Sequence, residues 1–425
     1  MKRISYIRHR ISNVLRHPLF SGSLIMVGGN MVVNVVNYAY HLIMGRVLGP
    51  VNYGVLASIF SILYLISVVP SSASVSIVKF ISSAKGNGEV YSVYRSLSRF
   101  VFILAGITSL VFMTFSPFVA KFLRIENISI VAMVSFVLFF SLITLVNQAS
   151  SQGLLKFSGL VVPNLVSAVV KLGLGITLVL LGWSVFGAIF AVVVGAVLSY
   201  LYSRWFIKRV LTGKSSKFFN LKPFFKYSIP VLVQAFAFTS LFTTDLILVK
   251  HFLPEFEAGI YAALSTLGKI IFFAVSPIVG TMFPIVAGRK SRGESYEKVF
   301  LFSFVITLAI SSLVVVFYWL FPNIAIGVLY GKAYLSATSE LVWMGVFILF
   351  YTLANILVNF SLSLGRTKVV WFPLLIAVLQ VVALWFWHGS LLQVIQISLT
   401  LAAILFFALA GYLGYNRLQD IYAKK

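Results

Sequence analysis

A chain that enters hydrocarbon must satisfy its own backbone N–H and C=O groups, and this one offers about twelve runs of roughly twenty mostly apolar residues. As helices rising 1.5 Å per residue, such runs each cross an apolar layer about 30 Å thick. The pattern predicts an all-α polytopic membrane protein with about 12 transmembrane helices. Barrel strands would be about ten residues long and would alternate polar with apolar, which these runs do not. Composition agrees, with 60% hydrophobic and only 10% charged residues, against about 25% charged in a soluble domain. The spans fall near 19–44, 54–78, 100–120, 130–151, 159–181, 184–206, 224–250, 259–286, 299–321, 336–361, 369–387 and 391–414.

A net charge of +24 invites a nucleic-acid partner, but the positions of the charges argue against one. With the N-terminus inside, 26 of the 33 lysines and arginines lie in segments on the cytosolic side. That asymmetry is the positive-inside rule, and it predicts a multi-pass protein of the cytoplasmic membrane with both termini in the cytosol. Residues 1–18 carry isoleucines at helical spacing among arginines, which suits a short helix on anionic lipid. They lack the apolar core and small-residue cleavage site of a removable signal peptide. No cysteine is present, so no disulfide, thiolate metal site or cysteine nucleophile is available.

The basic connection RWFIKRVLTGKSSKFFNLKPFFK divides the chain into a first lobe, 19–212, and a second, 213–425. Features recur across it in the same order. Tyr53-Gly54 after span one is echoed by Gly259-Ile260-Tyr261 after span seven. Asn147, Gly153 and Lys156 are matched by Asn359, Gly365 and Lys368 at an offset of 212, and Pro163 by Pro373 at 210. Such internal symmetry is a transporter trait, and with six spans per lobe the axis would lie along the membrane normal.

Polar residues sort onto helix faces. Asn30, Asn34, Asn37 and His41 share one face of span one; Gln148 and Gln152 share one of span four; Asn355 and Asn359 share one of span ten. Gln234 and Asp245 lie eleven residues apart on span seven. Two readings fit such stripes. Interhelical hydrogen bonds give about 0.6 kcal/mol each, whereas a wet cavity wall would offer amides to sugar hydroxyls, and the second reading is preferred for span one.

Lys171 lies roughly 18 Å into span five, on the face of Asn164, too deep to snorkel to either interface. Lys269 is the second cation candidate, in span eight. Either could offset a pyrophosphate's charge. Asp245 either pairs with one of these lysines or holds the proton or sodium ion that drives a cycle. Arg46 and Lys250 sit near the outer surface as a candidate cavity rim, with snorkelling as the alternative. Prolines 70, 163, 230, 277 and 373 are candidate kinks or hinges. No catalytic cluster, cofactor motif or metal-ligand spacing stands out.

Several stretches together resemble the polysaccharide transporters, the Wzx-type O-antigen or lipid-linked oligosaccharide flippases of the multidrug/oligosaccharidyl-lipid/polysaccharide (MOP) exporter superfamily. They are MGRVLGPVNYGVLASIF, YSIPVLVQ, the D-x-x-x-V-K and G-I-Y pair, and SQGLLKFSGLVVPNLVSAVVKLGLGITLVLLGWSVFGAIFA. The resemblance implies two six-helix bundles in a V around a central cavity that opens alternately to each side. It also implies transport of an undecaprenyl-pyrophosphate-linked oligosaccharide to the outer leaflet, beside a polysaccharide polymerase and a chain-length regulator. Spans one and two hold no lysine or arginine within them, unlike the lipid II flippases of the superfamily. The alternatives are a cation-coupled multidrug exporter of the MATE type, which calls for an acidic cavity, and a membrane-embedded glycan polymerase or ligase, which calls for a large external loop.

Overall fold

The computed structural model describes residues 18–84, 86–211 and 222–422. Within them the regular structure is helical, with no strand. In chain order the helices are α1 (Pro18–Ser83), α2 (Asn87–Phe122), α3 (Ile128–Gly153), α4 (Ser158–Leu178), α5 (Ser184–Val210) and α6 (Lys222–Phe252). Then follow α7 (Glu255–Ser291), α8 (Glu297–Leu320), the short α9 (Pro322–Leu329), α10 (Thr338–Ser363), α11 (Trp371–Phe386) and α12 (Leu391–Tyr422). The basic stretch 1–17 and the linker residues 212–221 lie outside the described residues.

Among the described residues ten helical stretches are long and apolar enough to cross a membrane. Two of them break in the middle. In α1 the break is Gly49, at φ 70° and ψ 173°, so the connection expected between spans one and two is a single residue, with helix on both sides of it. The second break follows α4, where Gly182 takes φ 90° before α5 begins. Glycine adopts these angles without steric penalty, so each break interrupts the helix with almost no loop. Each of these two stretches covers two of the runs expected from the sequence, Gly28–Ser83 the first two and Ser158–Val210 the fifth and sixth.

The chain forms two compact units. One comprises residues 1–47 and 66–232, the other residues 48–65 and 233–425. The segment Leu48–Leu65 is thus grouped with Val233–Lys425. In that unit Gly54 and Gly259 come backbone to backbone: a Cβ on Gly54 would lie 2.9 Å from the Gly259 nitrogen, and one on Gly259 would overlap the Pro50 carbonyl. Beside them the buried Tyr53 hydroxyl meets Thr266 Oγ1 at 3.0 Å and the Tyr330 hydroxyl at 3.2 Å. The echoed motifs Tyr53-Gly54 and Gly259-Ile260-Tyr261 are therefore neighbours in space.

The internal repeat needs one correction. At the ends of α3 and α10 the same cap recurs at an offset of 210 rather than 212. Lys156 N donates to Ser151 O at 2.8 Å, and Arg366 N to Ser361 O at 3.0 Å. The hydroxyls repeat too: Ser151 Oγ donates to Asn147 O at 2.8 Å, and Ser361 Oγ to Leu357 O at 2.9 Å. Pro163 and Pro373 obey this register. The pairs Asn147/Asn359, Gly153/Gly365 and Lys156/Lys368 are two residues out of it, because their matched identities do not occupy matched backbone positions.

Candidate functional site: a lysine over an aromatic ring in each unit

In the first unit α1 brings an amide and a ring to a buried cation on α4. Lys171, 8% exposed, donates from Nζ to Asn37 Oδ1 at 2.6 Å, and Nζ lies 4.6 Å from the centre of the Tyr40 ring. Such a ring attracts an ammonium through its quadrupole, more strongly where water is excluded. The ring is held in turn: Tyr40 donates its hydroxyl to the Ala188 carbonyl at 3.3 Å. Gly175 leaves it room, since a Cβ there would come within 3.1 Å of Tyr40 Cε2. An amide oxygen and an aromatic ring are thus among the neighbours of this deep lysine.

Seven residues earlier on α4, Asn164 accepts a hydrogen bond from Gln148 Nε2 at 2.8 Å. Gln152 points its amide at Met26 Sδ, 3.9 Å away. On α1, Asn30 is half-buried, Asn34 is exposed, and His41 sets its ring edge-on to Tyr40 with centroids 5.6 Å apart. Arg46 is exposed at the end of that limb. Asn147, by contrast, is glue: it accepts from the Tyr94 hydroxyl at 2.9 Å and donates to Ser203 Oγ at 3.1 Å, tying α2, α3 and α5.

The second unit repeats the theme with different residues. Phe242 and Asp245 lie three apart on α6, so they share a face. Opposite them on α7, Lys269 sets Nζ 4.5 Å from the Phe242 ring centre, and the Tyr261 hydroxyl donates to Asp245 Oδ2 at 2.6 Å. Asp245 Oδ1 accepts from Leu246 N at 2.8 Å, and the carboxylate is 1% exposed. No ion pair within 4.0 Å joins Asp245 to Lys269 among the described residues, though the two charges attract over a longer distance. The hydrogen-bonded side-chain partner of Asp245 is thus the Tyr261 hydroxyl.

Lys250 is buried, at 1% exposure, with its ammonium 3.2 Å from Glu255 Oε1. The pair crosses the turn between α6 and α7, since Glu255 is the first residue of α7. Asn359 Nδ2 donates to Asn355 O at 2.9 Å and Oδ1 at 3.1 Å, and both amides are half-buried. Gln234 is half-buried on α6. In the turn after α7, outside the spans, the Arg292 guanidinium holds the exposed Glu294 carboxyl below its usual range by hydrogen bonding. No group of three or more potential metal ligands occurs among the described residues.

Sequence reasoning missed Tyr40, Phe242 and Tyr261. The signal was present: Tyr40 follows Asn37 by three residues and Phe242 precedes Asp245 by three, so each ring shares a helix face with a residue already singled out.

The sequence profile of a family described as polysaccharide biosynthesis protein matches residues 43–339. No curated protein matches the chain. Among solved structures, the chain is similar to an inward-facing multidrug resistance MATE family transporter of the MOP superfamily. The TM-score is 0.72 at 16% identity, with 92% of this chain and 95% of that one covered. An outward-facing MATE family transporter gives 0.63 at 15%, covering 95% and 97%. A MOP superfamily transporter from Pyrococcus furiosus, described as having a reversed binding-pocket polarity that suggests a different function, gives 0.62 at 14%, covering 94% and 97%. At these identities the likeness establishes the fold.

Proposed function

The chain belongs to the polysaccharide biosynthesis protein family, and from that premise we propose that it carries undecaprenyl-pyrophosphate-linked oligosaccharide, an O-antigen or exopolysaccharide repeat unit, across the bacterial cytoplasmic membrane. It has the fold of a MOP superfamily transporter, and a membrane crossing by alternating access, driven by H+ or Na+, suits that fold. Both termini would lie in the cytosol, and a polymerase and a chain-length regulator would receive the product.

The observation that carries the reading is the lysine over an aromatic ring in each unit, Lys171 on Tyr40 with the Asn37 amide bonded to it, and Lys269 on Phe242. An ammonium resting on a ring can turn to a phosphate oxygen at little loss, because the quadrupole attraction is weaker than a charge-assisted hydrogen bond. Asn37, Gln148, Gln152 and Asn164 in one unit, and Gln234, Asn355 and Asn359 in the other, supply donors and acceptors for sugar hydroxyls; Asn30, Asn34 and His41 extend the first set. A fold that carries multidrug exporters would call for acidic groups if the cargo were cationic. Here the acidic group, Asp245, is already held by Tyr261.

Purified protein in vesicles, loaded with a fluorescent undecaprenyl-pyrophosphoryl glycan, provides the test. Protein-dependent movement of the label to the opposite leaflet is expected. Transport of cationic dyes with no movement of the glycan would favour the drug exporter instead.

A further inference from the structure

The uncovered face of α5 changes character along its length. Leu198 and Leu201 are exposed, then Trp205, then Lys208 and Arg209, at positions that fall on one stripe of the helix. The opposite face, with Ala196, Ser199, Ser203 and Ile207, is buried in the first unit. An order of apolar, then aromatic, then basic is the profile of a helix leaving hydrocarbon through a headgroup layer, where indole rings settle. A train of rings fixes the basic end to the body of the unit. Gly159 at the start of α4 leaves room for Phe206, since a Cβ there would lie 2.5 Å from Phe206 Cε1. Tyr202 stacks on Phe206 with centroids 6.2 Å apart and leans on Trp205 at 5.5 Å. Arg209 then sets its guanidinium 3.9 Å from the centre of the Trp205 ring.

A helix C-terminus favours cations through its dipole, which explains Lys208 and Arg209 as charges but not the ring beneath one of them. A ring engages the face of a planar guanidinium and leaves N–H groups at its edge for a phosphate. The surroundings supply little competing acid. No Asp or Glu lies on α5, and the acidic residues in the first unit's sequence are Glu89 and Glu126 alone. The bonds of Asn147 to Tyr94 and Ser203 bring the next residues along α2 and α5, the exposed Arg95 and Arg204, to this end of the unit. We propose that the end of α5 binds an anionic phospholipid of the cytosolic leaflet, with its phosphate on Arg209 and Lys208 and its acyl chains along Leu201 and Leu198. A soluble phosphate or a nucleic acid would use the cations alone and gain nothing from the leucines in line with them. The site anchors this helix end in the headgroup layer, and it does so whatever cargo the protein carries.

Native mass spectrometry of the full chain, released from micelles that hold phosphatidylglycerol and phosphatidylcholine in equal amounts, reads the preference for the anionic lipid. Arg209→Ala should lower that preference about tenfold, the loss of a charge-assisted contact. Lys156→Ala removes another exposed cation, in the turn between α3 and α4, and should lower it less than about twofold. Trp205→Leu keeps every charge and should still lower it about threefold, because the guanidinium loses its ring. Wild-type preference in Trp205→Leu, or equal losses in Arg209→Ala and Lys156→Ala, would mean attraction spread over the whole basic surface and would overturn the inference. Equal binding of the two lipids by the wild type would overturn it with no variant needed.

Discussion

Lys171, Lys250 and Lys269 all belong to apolar helices, and the structure gives them two kinds of surroundings. Lys250 has a carboxylate five residues away in Glu255. Glu255→Gln would leave a buried ammonium without its counter-charge and should lower stability by about 1–3 kcal/mol, the low end of such losses because the Glu255 side chain is half exposed. Thermal unfolding in detergent measures this, and glycan export at permissive temperature should persist. Lys171 and Lys269 lie instead against Tyr40 and Phe242. Tyr40→Leu would remove both the π face and the hydroxyl bonded to Ala188, and should weaken binding of a pyrophosphate lipid about threefold to tenfold, in line with a desolvated cation–π contact of about 0.5–2 kcal/mol. Depth was legible in the sequence, since it follows from counting along an apolar run. The partner was not, because a ring three residues from a polar position reads as ordinary core until the facing helix is known.

Helices were legible as elements because a backbone in oil has no other local solution. Their joints were less so. A loop was expected around residues 45–53, whereas Gly49 alone makes the break. The repeat was visible, but identity matching placed it two residues out of register, since Asn147 and Asn359 do different jobs: one ties three helices, the other bonds to its own helix one turn back. The caps at the ends of α3 and α10 make a prediction from the correct register. Gly365 takes φ 72° in one cap, and its counterpart Leu155 is forced to φ 59° in the other. Leu155→Gly should therefore stabilise the first unit by up to about 1 kcal/mol, and Gly365→Ala should destabilise the second by a similar amount. Paired melting curves check both signs. At the backbone crossing, Gly259→Ala would drive a methyl into the Pro50 carbonyl and should cost about 1–3 kcal/mol.

For the whole molecule, charge asymmetry and run length together indicate a polytopic helical membrane protein, and the solved structures it resembles share its helical fold. What sequence could not supply is the division into compact units, because membership depends on packing, which groups Leu48–Leu65 with Val233–Lys425. The account's central claim is that the two ring-bound lysines receive an anionic glycan lipid. Glycan export in cells whose only copy carries Lys171→Ala, Lys269→Ala or both tests it most directly, with membrane insertion measured in parallel. The account predicts normal insertion, a large loss of export in each single variant and none remaining in the double variant. Wild-type export by the double variant would contradict it.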